Sequence, residues 1–440
     1  MTTATTARPL YFTEHYMHQV SCDFLSSMIC CWAHGTGRVT VEQVREAMHV
    51  IYDRHPFLRC RITSEAEKYV FNFDVPFDSV SFEVVELKPT DDFTSAADTQ
   101  LNSTLPTGGP LWAARLMHTP EAGDQDGLER WTLLLLLSHS IADGRSVTML
   151  LDELGSILAE LLQGGTPDRT SRPIPDPIET QLEPHGTIDG FNAMFEKWQS
   201  QFDHITPWAT NEASDLTDRH CHITCTVHDA DFSKRLAERC HREGTTMQGA
   251  FAAAYAMGIA ECRDSEGAID IDTLTPVDLR SKSDQDIDPH ELACKIITLP
   301  TGSKGVSPSS DPWELARDYK KMLTQQFQEM ASLPVEFGRD DISSFLSGFT
   351  APPNEFSHGF NVSNLGRLPT DGDHGPIQIE GIDLVANIKG TGFPILVEIC
   401  SYRGQLRCSY TWIEPLISRE HALKLIGIAE SRLESMVDEG

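Results

Sequence analysis

Residues 131–144 read Trp-Thr-Leu-Leu-Leu-Leu-Leu-Ser-His-Ser-Ile-Ala-Asp-Gly. A strand with one wet face alternates polar and apolar residues, so the five consecutive leucines at 133–137 specify a strand buried on both faces. Beyond Gly144, the residues Val147, Leu150, Leu151, Leu154, Ile157, Leu158 and Leu161 recur at steps of three and four, which predicts a helix ending at Gly164. His139 therefore falls on the turn from a buried strand to an apolar helix. A histidine placed there suits proton transfer, because an unperturbed pKa of about 6.5 keeps neutral imidazole available near neutral pH.

Outward from this segment, strand and helix patterns alternate. Thr40 precedes Gln43 by three residues, a capping-box spacing, and Val41, Val44, Ala47, Met48 and Ile51 carry a helical stripe that His55-Pro56 ends. Apolar runs between acidic or Gly/Pro turns predict strands at 10–12, 58–62, 68–73, 81–87 and 111–117. In the second half, strands are expected at 221–227, 269–275, 295–299, 360–363, 382–388, 395–402 and 405–412. Helices are expected after a Thr245 cap, at 313–328 and at 419–437, and the Gly/Ala-rich stretch 249–260 implies close packing. Between 163 and 186, Gly164-Gly165 and five prolines stand among charges without apolar period, which marks a linker. The expected fold class is α/β (α+β), with units at 1–165 and 190–440 and a linker at 166–189. No period of roughly 20–50 residues repeats.

Composition narrows the function. The chain has 440 residues, 40% hydrophobic and 23% charged, enough for two packed cores, which excludes a disordered or fibrous protein. Lysine and arginine total 35 against 65 acidic residues, a net charge of -30 that repels phosphate backbones and anionic membranes. Neither nucleic acid nor membrane is an expected partner. No run approaches the roughly 18 apolar residues of a membrane span, and the polar segment 1–8 has no signal core behind it, so a cytoplasmic location is expected. Eleven irregularly spaced cysteines, an odd number, read as reduced thiols, and the sequons at Asn102 and Asn361 then carry no weight.

The leucine-rich strand, His139-x-x-x-Asp143-Gly144 and the apolar helix, in that order, resemble the chloramphenicol acetyltransferase-like superfamily. That group includes plant-type alcohol acyltransferases, condensation domains of nonribosomal peptide synthetases and polyketide-associated acyltransferases. Arg54-His55-Pro56-Phe57-Leu58-Arg59 resembles its segment after the first long helix. Pro276-Val277-Asp278-Leu279-Arg280 and Asn361-Val362-Ser363-Asn364-Leu365-Gly366 resemble its second-half segments, so the likeness covers most of the chain and is nearest to the polyketide-associated branch. Two departures stand out. Ser138 occupies the place of the first of two adjacent histidines in condensation domains, and the Asp-Phe-Gly-Trp-Gly motif of plant-type enzymes is missing.

The resemblance implies two chloramphenicol acetyltransferase-like subdomains, each a mixed sheet with flanking helices, forming a central tunnel. It implies transfer of an acyl group from a coenzyme A or carrier-protein thioester to a hydroxyl of a natural-product acceptor, with His139 as general base and no acyl-enzyme, metal or bound cofactor. It makes Asp143 a structural residue paired with Arg280, and Gly144 a residue that permits a tight turn. Ser363 and Asn364 are candidate oxyanion or substrate contacts, against the plainer reading of a turn closing a strand. Amide formation or cyclisation on the same fold is one rival. A catalytically silent carrier-protein docking module is another, which the intact set of His139, Asp143, Gly144 and Arg280 speaks against. Expected partners are a small-molecule alcohol acceptor and a donor, either acyl-coenzyme A or a carrier protein of a polyketide synthase, with the chain a monomer.

Other constellations carry less. His220, Cys221, His222, Cys225 and His228 have zinc-ligand chemistry, yet on a strand the histidines point one way and the cysteines the other, so a polar-out, apolar-in strand is preferred. Cys30-Cys31 and Glu14-His15 with His18 read as structural. Gly35-Thr36-Gly37 and Gly390-Thr391-Gly392 do not extend to a nucleotide-binding loop, and Lys320-Lys321 reads as a solvated face that could meet a donor phosphate.

Overall fold

The computed structural model describes residues 7–65, 68–88, 93–119, 127–201, 212–263, 267–283, 285–330, 333–347 and 359–438. Residues 1–6 of the polar opening segment lie outside these. The first half runs β1 (Ala7–Pro9), α1 (Phe12–Phe24), β2 (Met28–Val39), α2 (Val41–Arg54), β3 (Arg61–Glu65), β4 (Lys68–Asn72), β5 (Phe82–Glu86), α3 (Phe93–Leu101), β6 (Trp112–His118), β7 (Leu128–Ser138) and α4 (Gly144–Leu162). There follow α5 (Ile188–Gln199), β8 (His220–His228), α6 (Ala230–Arg242), α7 (Met247–Cys262), β9 (Ile269–Asp278), β10 (Ile296–Val306), α8 (Pro312–Glu329) and α9 (Arg339–Ser347). The chain closes with β11 (Phe360–Arg367), β12 (Gln378–Ala386), β13 (Ile395–Tyr402), β14 (Gln405–Glu414) and α10 (Arg419–Asp438).

The leucine run is the middle strand, β7, of a five-stranded sheet ordered β12-β2-β7-β6-β5. Its alternation divides the leucines between two cores. Leu133, Leu135 and Leu137 pack with Val44, Met48 and Ile51 of α2 and Leu150, Leu151, Leu154 and Leu158 of α4. Leu134 and Leu136 join the core formed with α7, α10 and the six-stranded sheet β10-β9-β11-β13-β14-β8. Both sheets are mixed: β9, β11 and β13 pair in parallel, as do β5 and β6, and the remaining pairs are antiparallel. This is the chloramphenicol acetyltransferase-like, mixed α/β architecture expected, with a small third sheet β1-β4-β3 beside it.

Close packing follows the small residues of α7. A side chain on Gly249 would come within 2.7 Å of the Ala316 carbonyl of α8, and one on Gly258 within 3.0 Å of Leu425 of α10. The Arg54–Arg59 segment fastens α2 to α4: His55 Nε2 lies 2.8 Å and Arg54 2.7 Å from the buried Glu153 carboxylate. Glu153 would be pushed up by burial, but His55, Arg54 and Arg172 bring its pKa down to about 2.

Several boundaries differ from the sequence reading. Residue 12 opens helix α1 rather than closing a strand, and α1 buries Thr13, Glu14, His15 and Gln19 as well as apolar residues, so no clean stripe marks it. A turn of 3-10 helix at Pro56–Arg59 displaces the strand expected at 58–62 to β3. Thr246, not Thr245, caps α7 by accepting from Gly249 N; the Thr245 hydroxyl donates to the Ala316 carbonyl. The proline-rich stretch is not a bare tether, since Ile178 and Leu182 are buried with Phe12, Phe191, Phe195 and Trp198 in a third core. Finally, β12 crosses from the second half to pair with β2 of the first sheet. No disulfide links any of the eleven cysteines. Among the described residues no helix is long and apolar enough to cross a membrane.

Candidate active site

Where β7 ends, the His139 amide donates to the Ser27 carbonyl at 3.0 Å, and Asp143 begins α4 as its N-cap, accepting from Ser146 N at 2.9 Å. The intervening turn is thus fixed at both ends. His139 Nδ1 lies 3.6 Å from the Cys294 sulfur. Burial holds the imidazole pKa below its ordinary 6.5, partly offset by the Asp143 charge and by hydrogen bonds to the backbone of residues 139 and 142. The ring is therefore neutral at pH 7 and able to accept a proton. Ser138, in the place of a second histidine, is buried, and its hydroxyl bonds that of Ser140 at 3.0 Å.

Asp143 has no exposure, and its second carboxylate oxygen accepts from Lys295 N at 2.9 Å and meets Arg280 at 2.8 Å. Arg280 also contacts Asp278 at 3.0 Å. Burial would raise the Asp143 pKa, but Arg280 and the Ser146 and Lys295 amides hold it below the usual carboxylate range. With its lone pairs occupied, the carboxylate ties α4 to β9 and to the start of β10. Gly144 has an ordinary backbone conformation rather than a left-handed one; its requirement is space, since a Cβ there would lie 2.8 Å from Leu365 and 2.9 Å from Leu384. Close approach, not a strained turn, selects glycine.

These residues line a cavity of about 200 Å³ between the two large sheets. His139, Asp143, Gly144, Arg280, Ser363 and Asn364 all contribute to its wall. Asn364 Oδ1 accepts from Gly366 N at 2.8 Å, at a bulge where Gly366 has φ +68°, so this side chain also closes a local turn. Arg145 and Asp278 pair at 3.2 Å on the wall. A narrower apolar branch of about 50 Å³ opens among Phe12, Phe191, Phe195 and Phe345, and shares Tyr16, Met17 and Leu274 with the main cavity.

Three wall or near-wall residues escaped the sequence reading. Cys294 approaches His139 only through the turn before β10, a long-range contact. Asn361 stands in the 361–366 motif and in a sequon, neither of which marks it as a cavity residue. Glu398 is the lone charge in the apolar strand Ile395–Tyr402, a signal present in the sequence: it is buried, and burial pushes its pKa up to about 8.

The dense histidine-cysteine strand splits up. Cys221 reaches Asn387, Cys225 reaches Ser409, and His222 Nδ1 lies 3.0 Å from Asp98. His228 turns toward Cys408 and Glu430, and this is the one group among the described residues whose donor atoms are mutually close enough to hold an ion. The alternation also fades along the strand, leaving Val227 44% exposed. Gly390 is packed against Phe24, and Lys320 and Lys321 line an open groove on α8 apart from the cavity.

A neutral histidine on the wall of a cavity between two mixed sheets, anchored by a buried Asp–Arg pair, defines the two-sheet class of condensation and acyl-transfer enzymes. The chain belongs to the condensation-domain family, whose sequence profile matches residues 8–287, more than half of its length. The profile described as phthiocerol/phthiodiolone dimycocerosyl transferase C-terminus matches residues 223–389. Condensation or acyl transfer is the class of chemistry that these two profiles describe. The chain is similar over 98% of its length to trichothecene 15-O-acetyltransferase from Fusarium sporotrichioides, with a TM-score of 0.76, 13% identity and 95% of that chain covered. Polyketide synthase associated protein 5 from Mycobacterium tuberculosis matches with a TM-score of 0.70 and 17% identity, covering 98% of both chains. At such identities these structures speak for the fold. Chondramide synthase of Chondromyces crocatus is 29% identical over 138 residues, 30% of this chain, and the match spans 3% of that synthase's length.

Proposed function

We propose that this protein transfers an acyl group from a coenzyme A or carrier-protein thioester to a hydroxyl of a small natural-product acceptor, with His139 as general base. The observation that carries the reading is the neutral His139 imidazole, held by a fully paired turn, on the wall of the cavity between the sheets. As the acceptor oxygen attacks the thioester carbonyl, imidazole takes the hydroxyl proton, leaving a tetrahedral oxyanion. Collapse of that intermediate breaks the carbon–sulfur bond, and the imidazolium returns the proton to the departing thiolate. Ser363 and the amide group of Asn364 are the proposed oxyanion or substrate donors; the side-chain oxygen of Asn364 is occupied by Gly366 N, which leaves its amide hydrogens to face a ligand. Asp143, Arg280 and Gly144 position His139 and do not exchange protons with substrate.

The same reading treats 1–165 and 190–440 as two subdomains connected by 166–189, with β12 as the strand that locks the second onto the first. It takes the protein as a cytoplasmic monomer, and eleven cysteines without a disulfide suit that compartment. The O-acetyltransferase among the structural neighbours supports an ester product over an amide. The test is incubation of the purified protein with acyl-coenzyme A thioesters or acyl-loaded carrier protein and a panel of hydroxylated acceptors, read by mass spectrometry. Acylated acceptor is the expected result. Product from amine acceptors alone, or none with either donor type, overturns the reading.

A further inference from the structure

We propose that the β11–β13 wall of the cavity is a recognition site for a second hydroxyl of the acceptor, contacted by Glu398 with Asn361 and Ser363. The inference rests on the acyl-transfer reading and adds the substrate class: an alcohol with a neighbouring hydroxyl rather than a simple mono-alcohol.

The parallel register of β11 and β13 sets Ser363 beside Glu398 and Asn361 beside Leu396, so one face of two adjacent strands presents these side chains together. All four line the cavity. Glu398 is 7% exposed and Asn361 5%, and neither Glu398 Oε2 nor Asn361 Oδ1 has a hydrogen-bond partner among the described residues. A buried polar atom left unpaired costs about 1–3 kcal/mol, so two of them on one cavity wall call for a ligand that satisfies both.

Among the described residues no cation pairs with the carboxyl. The cations on the cavity wall are Arg145, paired with Asp278, and Arg280, paired with Asp143 and Asp278. Glu398 receives a hydrogen bond from the Ala386 backbone, which favours its charged form, but burial dominates and its pKa rises to about 8. At pH 7 it is mainly a neutral acid, able both to donate and to accept. The Asn361 amide can also do both. Such a pair matches a hydroxyl, which is likewise donor and acceptor, better than a phosphate or carboxylate. Nor does the fold need the carboxyl, because Ile395, Leu396, Val397, Ile399 and Cys400 around it are all buried and an apolar residue would pack there without an unpaired oxygen.

The test uses a vicinal hexanediol and hexanol as matched probes, with acetyl-coenzyme A as donor. Binding of each probe is titrated by ligand-observed NMR on the native protein, Glu398→Gln and Glu398→Leu, and turnover is measured separately. The native protein is expected to bind the diol about tenfold or more tightly than the mono-alcohol, because a site built to hydrogen-bond a hydroxyl rejects the analogue lacking it. Glu398→Leu is expected to erase that preference by weakening the diol alone, and Glu398→Gln to retain part of it. Equal binding of both probes to native protein, including no binding of either, overturns the inference, as does a Glu398→Leu variant that keeps the preference. A diol preference accompanied by no acylated product, with acyl-loaded carrier protein as donor as well as acetyl-coenzyme A, would leave the wall standing and sink the acyl-transfer reading instead.

Discussion

Two parts of one cavity treat their polar atoms in opposite ways. On the His139–Gly144 turn, Asp143 is satisfied by Ser146, Lys295 and Arg280, and the serine hydroxyls flanking His139 satisfy each other. On the β11–β13 wall, Glu398 and Asn361 each keep an oxygen with no partner among the described residues. The first arrangement is complete before any ligand arrives, as preorganised catalysis requires. The second is incomplete without one. A buried carboxylate locked into structure and a buried carboxyl only half paired differ in environment, not in chemistry, and the opposite directions of their pKa shifts record that difference.

The contrast can be broken most severely at the completed end. Asp143→Ala strands the Arg280 charge and removes the α4 cap, and is expected to cost about 3–5 kcal/mol, measured by denaturant unfolding. Because the folded pKa of Asp143 lies below its unfolded value, this stabilisation is present above about pH 4 and is lost as pH falls through the depressed folded value. The penalty should therefore shrink in strong acid. Gly144→Ala puts a Cβ against Leu365 and Leu384, and about 1–3 kcal/mol of overpacking is expected, with turnover falling as the His139 turn shifts.

At the incomplete end the sign reverses. Glu398 has a folded pKa near 8 against an ordinary 4.5, so its protonated form is favoured by folding, and stability present below pH 4.5 is lost as pH rises toward 8. Glu398→Gln removes that loss. In melting experiments the variant should gain on the native protein between pH 4.5 and 8, by a few degrees on the order of 2–4 °C; a constant difference across that range would show that Glu398 is not the group concerned. The smallest expected effect is kinetic. With the His139 pKa held below 6.5, kcat/KM should stay flat as pH drops from 8 to 6.5 and decline only at lower pH.

Much of the completed end was legible because it is local. Five leucines, a helical stripe and the glycine that ends it lie within some thirty residues, and their periodicities state what must be buried. The Asp143–Arg280 pairing came only through the family likeness, since nothing in spacing brings residues 137 positions apart together (280 − 143). What stayed hidden is non-local or hidden by polarity. Helix α1 buries charged and polar side chains, with Arg8 on Glu14 at 2.6 Å, and so lacks an apolar period. Helix α6 shows one apolar residue per turn, Phe232, Leu236 and Cys240, among charges, a stripe too narrow to stand out. The exchange of β12 between sheets depends on pairing with β2 across nearly the whole chain. Glu398 is legible as a lone charge in an apolar strand, but only the folded structure shows that it lines a cavity.

The central claim is that the neutral imidazole of His139 takes the acceptor's proton in acyl transfer. Its most direct test compares native protein and His139→Ala, with folding matched by circular dichroism, in the thioester and hydroxylated-acceptor assay. A fall in kcat of about 10²–10⁴-fold is predicted, with the melting temperature preserved. A folded His139→Ala protein that acylates the acceptor at the native rate would contradict the account.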